Sequence, residues 1–159
     1  MNRCHVITRE LMDEISTQAR TAPRLRKNMN IHVSEQEPCN RLLNAVEPGT
    51  YFVPHCHSDP SKDETMIILR GRMGILIFDE HGNVTGKTLL EAGSKNVGIT
   101  IPHGVFHSMV VLEPGTVVFE TKAGPYRPLQ QNEIPAWAPR EGSPDAPASL
   151  VKMKHLFDA

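Results

Sequence analysis

An all-β domain, folded as a two-sheet sandwich or a closed barrel, is the fold class that this sequence predicts. The middle of the chain consists of short runs with β-like patterning, and no helical pattern separates one run from the next. Turn sequences divide the runs, notably the glycine-containing connection 79–83 and the tight turn 113–115. Short strands without intervening helices favour antiparallel sheets over a parallel α/β fold. The predicted strands span residues 41–46, 51–57, 64–69, 72–78, 84–90, 96–101, 106–112 and 116–122.

A helix is predicted before these strands. Thr8 has the side chain of an N-cap, and apolar residues then recur at helical spacing until Pro23, so residues 9–22 should be helical. Residues 24–38 are polar and predict irregular structure.

Proline dominates the C-terminal segment. Six of the 13 prolines lie between residues 125 and 147, which favours an extended tail over the surface. Trp137 is costly to leave in water, so we expect it to pack onto the β-domain or onto a partner subunit. Residues 149–157 predict a short closing helix. The sequence thus divides into an N-terminal helix and arm, a β-barrel domain and a proline-rich tail, at residues 1–38, 39–124 and 125–159.

Composition excludes several classes of function. The 159 residues carry a formal net charge of −1, and the short basic patch at residues 24–27 is too small to predict a nucleic-acid partner. No apolar run is long enough to predict a membrane span, and the N-terminus lacks the layout of a secretory signal. Three cysteines without C-x-x-C spacing indicate a reducing compartment, so we expect a cytoplasmic protein.

Three separate segments carry residues that can bind a metal ion. His55 and His57 are two apart, so both imidazoles would project from one face of a strand. Glu64 opens the next predicted strand, and His107 comes from a distant segment. Three imidazoles and one carboxylate suit one borderline divalent ion, such as Zn²⁺, Fe²⁺, Mn²⁺ or Ni²⁺. The alternative is that the histidines only form hydrogen bonds in a metal-free pocket.

Two segments resemble the motifs of the cupin superfamily. Residues 49–71 are similar to the first motif, G(X)5HXH(X)3–4E(X)6G, and residues 102–107 to the start of the second, PxG(X)2H. The gap between the histidine pair and Glu64 is longer than usual, which leaves Asp59 and Asp63 as alternative ligands. Val111 replaces the closing asparagine of the second motif, which is not a metal ligand in the family. The resemblance implies a jelly-roll barrel, or double-stranded β-helix, around a metal ion.

Residues 28–142 further resemble the WbuC family of small cupin-fold metalloproteins, which are found with bacterial surface-polysaccharide genes. This resemblance implies a sugar or sugar nucleotide as the small-molecule ligand. We expect a homodimer from the habit of cupins and from the proline-rich tail that carries Trp137. The matching segments are 28–32, 41–44, 55–71, 78–79, 120–126 and 137–142.

Two further side chains are candidates for proton transfer. Tyr51 alternates with His55 and His57, so its phenol can face the barrel interior and contact a substrate, or simply fill the barrel as an aromatic plug. His103 lies in the turn before His107, where it can relay protons at the pocket rim or stand exposed.

Four charged or amide side chains are candidates for acid–base work or ligand binding. Glu120 and Lys122 share one face of the last predicted strand, and an inward face would bring both to the pocket. Arg41 and Asn44 lie on opposite faces of their strand, so only one of the two can point inward. Arg41 would suit a phosphate or carboxylate.

Three functions fit these residues. The first is a metal-dependent isomerase or epimerase, in which the ion polarises a carbonyl and a pocket side chain moves a proton. The second is an iron-dependent dioxygenase, because other cupins use three histidines and one glutamate for oxygen activation. The third is a non-catalytic module that binds a small molecule.

Overall fold

Two antiparallel β-sheets, with a helix at each end of the chain, make up the computed structural model, which describes residues 4–158. The five-stranded sheet has the order β1-β2-β8-β3-β6, and the three-stranded sheet has the order β5-β4-β7. The predictions for residues 1–3 and for residue 159 lie outside the described part of the chain. The elements are α1 (Arg9–Thr21), β1 (Arg26–Asn30), β2 (Cys39–Val46), β3 (Glu64–Arg70), β4 (Arg72–Phe78), β5 (Val84–Glu91), β6 (Gly98–Ile101), β7 (Phe106–Val111), β8 (Thr116–Ala123), a 3₁₀ helix (Gln131–Glu133) and α2 (Ala146–His155).

Helix α1 begins where the sequence predicts and covers the outer face of the larger sheet. The Thr8 hydroxyl accepts a hydrogen bond of 3.2 Å from the Leu11 amide, which satisfies one of the free donors of the first turn. Ile15 and Ala19 are buried, and they pack with residues of β2 and β8. The helix therefore buries one apolar stripe, as its spacing indicates.

The main core lies between the two sheets. Strands β3, β4 and β7 supply most of its side chains, because their alternating residues point toward the opposite sheet. Methionine is frequent in this layer, where its unbranched side chain fills irregular gaps. The buried members are Met66, Ile68, Met73, Ile75, Leu90, Ile101, Met109 and Val118.

The prediction of a strand at residues 51–57 is wrong. That segment has no ladder, and among its residues only His55 forms a β-bridge, with His107. Pro54 explains the difference, because it has no amide proton to donate to a neighbouring strand. The segment crosses instead between β2 and β3, with the Cys56 amide donating to the Glu133 carbonyl at 2.9 Å.

Strand β1 was not expected, because residues 24–38 lack an apolar alternation. The strand pairs only with β2 and forms one edge of the larger sheet. Charged and amide side chains are tolerated at an edge, where they also discourage pairing with other chains. The polar composition that predicted irregular structure is therefore typical of this exposed position.

The C-terminal segment covers the outer face of the smaller sheet. Trp137 packs against Phe78, with ring centroids 5.2 Å apart, and its indole N–H donates to the Glu80 carbonyl at 3.0 Å. Leu150 and Met153 of α2 are buried against the same face. Neither helix of the described chain has the length and apolar character needed to cross a bilayer.

Candidate metal centre

Four side chains from three separate parts of the chain converge between the sheets. His55 and His57 lie in the β2–β3 connection, Glu64 is the first residue of β3, and His107 lies in β7. One potential ligand atom from each residue can be chosen so that all four lie within 4.8 Å of one another. Glu64 and His107 are almost completely buried, at 2% and 1% exposure.

Backbone pairing brings the two sheets together at this point. The His55 amide donates to the His107 carbonyl at 3.0 Å, and the His107 amide donates back to the His55 carbonyl at 2.9 Å. The Gly104 amide donates to the His57 carbonyl at 2.7 Å, which ties the same connection to the turn before β7. A positive φ of 75° at Gly104 favours glycine in that turn. The histidine positions thus depend on contacts between distant segments.

Backbone carbonyls two residues earlier in the chain orient two of the imidazole rings. Nδ1 of His55 lies 2.9 Å from the Val53 carbonyl, and Nδ1 of His107 lies 2.9 Å from the Val105 carbonyl. A carbonyl can only accept, so both Nδ1 atoms carry a proton, and in a neutral ring Nε2 is then an acceptor.

The acceptor atoms of this cluster face one another without enough donors. Nε2 of His107 has no hydrogen-bond partner in the described chain and lies 3.3 Å from Oε2 of Glu64. Nε2 of His57 lies 3.3 Å from the same carboxylate oxygen, to which its N–H tautomer can donate. Buried acceptors without donors are costly, and a divalent cation satisfies several of them at once. The residues therefore fit a metal ion.

The protonation states of His55 and Glu64 also suit the binding of a metal ion. Burial, together with the neighbouring His107, lowers the pKa of His55 to about 3, so that its ring stays neutral at physiological pH. Burial tends to raise the pKa of Glu64, but His107, His57 and Lys122 outweigh it and hold that pKa well below its usual range. A neutral imidazole and an ionised carboxylate are the forms that bind a metal.

A buried ion pair adjoins the cluster on β8. Lys122 is paired in register with Glu64 of β3, and its Nζ lies 3.4 Å from Oε1 of that residue. The same Nζ lies 3.1 Å from Oε1 of Glu120, and the Asn44 amide donates to Oε2 of Glu120. The sequence left the direction of β8 open, and the structure turns Glu120 and Lys122 inward.

The pKa values of this pair move in the same direction for different reasons. Burial, with the Glu64 charge nearby, raises the pKa of Glu120 to about 8. Burial tends to lower the pKa of Lys122, but the carboxylates of Glu120 and Glu64 outweigh it and raise that pKa. At neutral pH the ammonium is charged, and the Glu120 carboxyl titrates close to that pH.

A cavity of about 410 Å³ opens beside the cluster, and we call it the main cavity. Phe52 and Met109 form an apolar part of its wall, whereas Asn44, Glu120 and Lys122 form a polar part. Sequence reasoning did not place the cationic residues Arg24, Arg26 and Lys27, or the polar residues Asn28 and Tyr126, at this cavity. The alternation of Arg26, Asn28 and Asn30 on one strand face is the signal that could have found part of this wall.

Tyr51 and His103 lie away from the cluster. The Tyr51 hydroxyl donates to the Pro139 carbonyl at 2.9 Å, and its ring packs in the apolar layer under α2. Because residues 51–57 form no strand, alternation does not carry Tyr51 to the same side as the histidines. His103 is exposed and lies 2.9 Å from Asp63. Neither side chain lies at the cluster, so the geometry gives no support to the proton-transfer roles predicted for them.

Arg41 and the alternative acidic ligands also lie outside the site. Nη2 of Arg41 pairs with Glu37 at 2.6 Å, so Asn44 is the member of that strand pair that lines the main cavity. Asp59 accepts hydrogen bonds from Ser61 in its own turn. Asp63 is engaged by His103. Glu64 is the acidic residue that joins the histidines.

Similar folds occur in solved structures of several bacterial proteins. KdgF from Halomonas sp. is 19% identical, with a TM-score of 0.52 over 67% of this chain and 85% of that one. The conserved SPY1581 protein of unknown function from Streptococcus pyogenes is 11% identical, with a TM-score of 0.53 over 80% and 93% of the two chains. These likenesses show the fold, a sandwich of two antiparallel β-sheets.

A mutant of Bacillus subtilis oxalate decarboxylase OxdC, SENS161-164DSSN, is 18% identical, with a TM-score of 0.51 over 70% of this chain. The match covers only 28% of the decarboxylase chain, so the likeness concerns one part of that larger protein. No curated protein matches this chain in sequence.

A protein-family profile matches residues 7–90, which is more than half of the chain. The matched region includes α1, β1 to β4, most of β5 and three of the four cluster residues, and it ends before His107. The family is described as a domain of unknown function. On this match, the chain belongs to the DUF6016 family.

Proposed function

We propose that this protein is a metal-binding cupin that isomerises or epimerises a sugar or sugar nucleotide. The convergence of three imidazoles and the Glu64 carboxylate within 4.8 Å, beside a polar cavity, is the observation on which this proposal depends. His55, His57, Glu64 and His107 would hold one divalent ion. When bound, such an ion acts as a Lewis acid toward a carbonyl or hydroxyl oxygen.

Glu120 is the residue that we assign to proton transfer. It lines the main cavity beside Lys122, where its carboxyl can give a proton to a ligand or take one from it. Asn44 holds Oε2 of its carboxyl through the amide hydrogen bond. Lys122, only 17% exposed, would bind an oxygen that gains negative charge as the proton leaves a neighbouring carbon.

The rim of the main cavity suits the anionic part of a sugar nucleotide. Arg24, Arg26 and Lys27 supply three cationic side chains, against the single carboxylate of Glu141 that pairs with both arginines. Guanidinium and ammonium groups bind phosphate oxygens strongly. A phosphorylated sugar could thus place its charge at the rim and its ring near the cluster.

We also propose that the protein belongs to the WbuC family and acts in bacterial surface-polysaccharide metabolism. The resemblance of residues 28–142 to the WbuC family supports a jelly-roll barrel with a proline-rich tail and a role in bacterial surface-polysaccharide metabolism. The cysteine pattern supports a cytoplasmic protein, and the habit of cupins and the tail with Trp137 support a homodimer, for which sedimentation equilibrium is the direct test. A stable monomer at micromolar concentration would contradict the dimer and leave the metal centre unaffected.

Solvent-deuterium exchange tests the proposed reaction. Metal analysis of the purified protein should give about one divalent ion per chain. Incubation with nucleotide sugars in D₂O should then place deuterium on the sugar carbon whose proton is exchanged, as read by NMR. Glu120→Gln should keep the metal and lose the exchange, whereas Glu80→Gln on the exposed hairpin should keep both.

Other outcomes of this experiment favour the remaining functions. Oxygen uptake by the iron-loaded protein with a candidate substrate, and no deuterium exchange, would favour the dioxygenase. A rise in Tm with a sugar, and no product, would favour the binding module, because a ligand that binds the native state raises stability.

A further inference from the structure

A second cavity of about 270 Å³ adjoins the main cavity, and we call it the side chamber. Asn30, His32, Glu35, Asn40 and Leu42 belong to its wall and do not line the main cavity. Its remaining wall residues line both cavities, so the two spaces are adjacent. These shared residues are Asn28, Glu120, Lys122 and Tyr126.

A buried amide without a partner lies in this wall. Asn40 is 2% exposed, and its Oδ1 has no hydrogen-bond partner within residues 4–158. Native proteins rarely leave a buried side-chain acceptor unpaired, and the cost of doing so is about 1–3 kcal/mol. Oδ1 is itself enclosed on the side of Gly124, so the amide must rotate for a donor in the side chamber to reach this atom.

His32 adds a second polar group to the same wall. The residue is 7% exposed, and its Nδ1 lies 3.0 Å from the Arg41 amide and 2.9 Å from the Arg41 carbonyl. These backbone contacts fix the ring through Nδ1. Nε2 is therefore the ring nitrogen that remains for a ligand in the side chamber.

The chemistry of the wall favours hydroxyl groups over anions and hydrocarbons. Amides offer both donors and acceptors, and a hydroxyl group donates one hydrogen bond and accepts up to two. Glu35 supplies negative charge, while Lys122 is already paired with Glu64 and Glu120. The side chamber thus lacks the excess of positive charge that is present at the rim of the main cavity.

We propose that the side chamber is a binding subsite for the uncharged, hydroxyl-bearing ring of a phosphorylated sugar, whose phosphate binds at the rim formed by Arg24, Arg26 and Lys27. This inference rests on the proposed function and names the part of the ligand that each cavity recognises. Asn40 and His32 are the specificity-determining residues, because they form hydrogen bonds with hydroxyl groups and do not contact the metal ligands.

A pair of phosphate esters tests this assignment. Isothermal titration or ligand-observed NMR with the full-length, metal-free protein would compare D-glucose 1-phosphate with cyclohexyl phosphate, which has a ring of similar size without hydroxyl groups. We expect the glucose ester to bind about tenfold more tightly, the ratio that one or two hydrogen bonds provide. Asn40→Leu should reduce that ratio to about one, and the same substitution at exposed Asn132 should leave it unchanged.

Asn30→Ala provides a second variant if Asn40→Leu does not fold. Asn30 is exposed at the mouth of the side chamber, so its truncation should preserve the fold and reduce the ratio by about threefold. Equal affinity for the two esters, binding of neither, or a ratio unchanged in the folded side-chamber variants would overturn the proposal.

Failure of the side chamber can be distinguished from failure of the proposed function. Deuterium exchange that survives with equal affinity for the two esters would reject only the subsite. A preference for the glucose ester that depends on Asn40, without deuterium exchange, would keep the subsite and reject the isomerase. Metal content, measured separately, should be the same in Asn40→Leu and the wild-type protein.

Discussion

Oε2 of Glu64 lies 3.3 Å from Nε2 of His107, although the ring donates its Nδ1 proton to the Val105 carbonyl. Both facing atoms are acceptors when the ring is neutral, and both residues are buried. Such a contact is unfavourable unless a proton or a cation lies between the two atoms. The same contact that weakens the metal-free protein therefore prepares it to bind an ion.

Glu64→Gln should abolish metal-dependent stabilisation. Adding Mn²⁺ or Zn²⁺ to the metal-free wild-type protein should raise its Tm, because the ion binds only the folded state. In Glu64→Gln this rise should be lost, since an amide is a weak metal ligand. The metal-free variant also loses the carboxylate that lies 3.4 Å from Nζ of Lys122, so the shift caused by the metal, and not the metal-free Tm, tests the ligand role.

His81→Gln is the control for this prediction. His81 lies exposed in the β4–β5 hairpin, far from the cluster, so the variant should retain the full shift in Tm. Differential scanning fluorimetry with and without metal measures the Tm of the wild type and of both variants. A shift in Glu64→Gln as large as that of the wild type would show that the carboxylate is not a ligand.

Stability of the metal-free protein should depend on pH through Glu120. Burial and the Glu64 charge raise the pKa of Glu120 from 4.5 to about 8 in the folded state. Between these values the folded protein holds a proton that the unfolded chain has lost, so the free energy of unfolding falls as the pH rises. The slope from this one group is at most about 1.4 kcal/mol per pH unit.

Urea denaturation from pH 5 to about pH 8 measures this effect against Glu120→Gln. As the pH rises across this range, the unfolding free energy of the wild type should fall relative to that of the variant. His55 contributes a change of opposite sign below pH 6.5, but it is present in both proteins and cancels in the comparison. A difference that stays constant with pH would mean that Glu120 is ionised throughout.

Gly124→Ala should destabilise the fold strongly. A Cβ atom at this position would lie only 1.7 Å from the Glu37 carbonyl oxygen, and that neighbour belongs to the backbone. The chain must therefore shift, at a cost of about 2 kcal/mol or more in unfolding free energy. Gly86→Ala is the matched control, because its nearest contact is an ordinary 3.6 Å to Ile77, and it should change stability by less than about 0.5 kcal/mol.

Trp137→Ala should loosen the C-terminal segment. The ring contacts Phe78 and Phe106, and the indole N–H donates to the Glu80 carbonyl. Loss of this partly buried ring should lower the unfolding free energy by about 2 kcal/mol, as measured by circular dichroism in urea. Trp137→Phe keeps an aromatic ring without the N–H and should lose about half as much. Equal losses in the two variants would mean that the hydrogen bond, and not the ring, holds the segment.

Local patterns in the sequence were sufficient for most of the elements. Helix α1 follows from the Thr8 cap and the spacing of its apolar residues, and seven of the eight predicted strands correspond to strands of the structure. The segment 51–57 failed because alternation alone does not show whether a neighbouring strand is available. Strand β1 was missed because an exposed edge imposes no apolar alternation on its residues.

The candidate metal ligands could also be chosen from the sequence, since few residue types bind a divalent ion and their spacing resembles that of the cupin motifs. Tertiary structure alone decided which other side chains meet them. Asn44 faces inward and Arg41 does not, Glu120 and Lys122 reach Glu64 across β8 and β3, and Tyr51 and His103 point elsewhere. The physical reason is that a sheet face is chosen by the packing of the whole core, which no short segment of sequence contains.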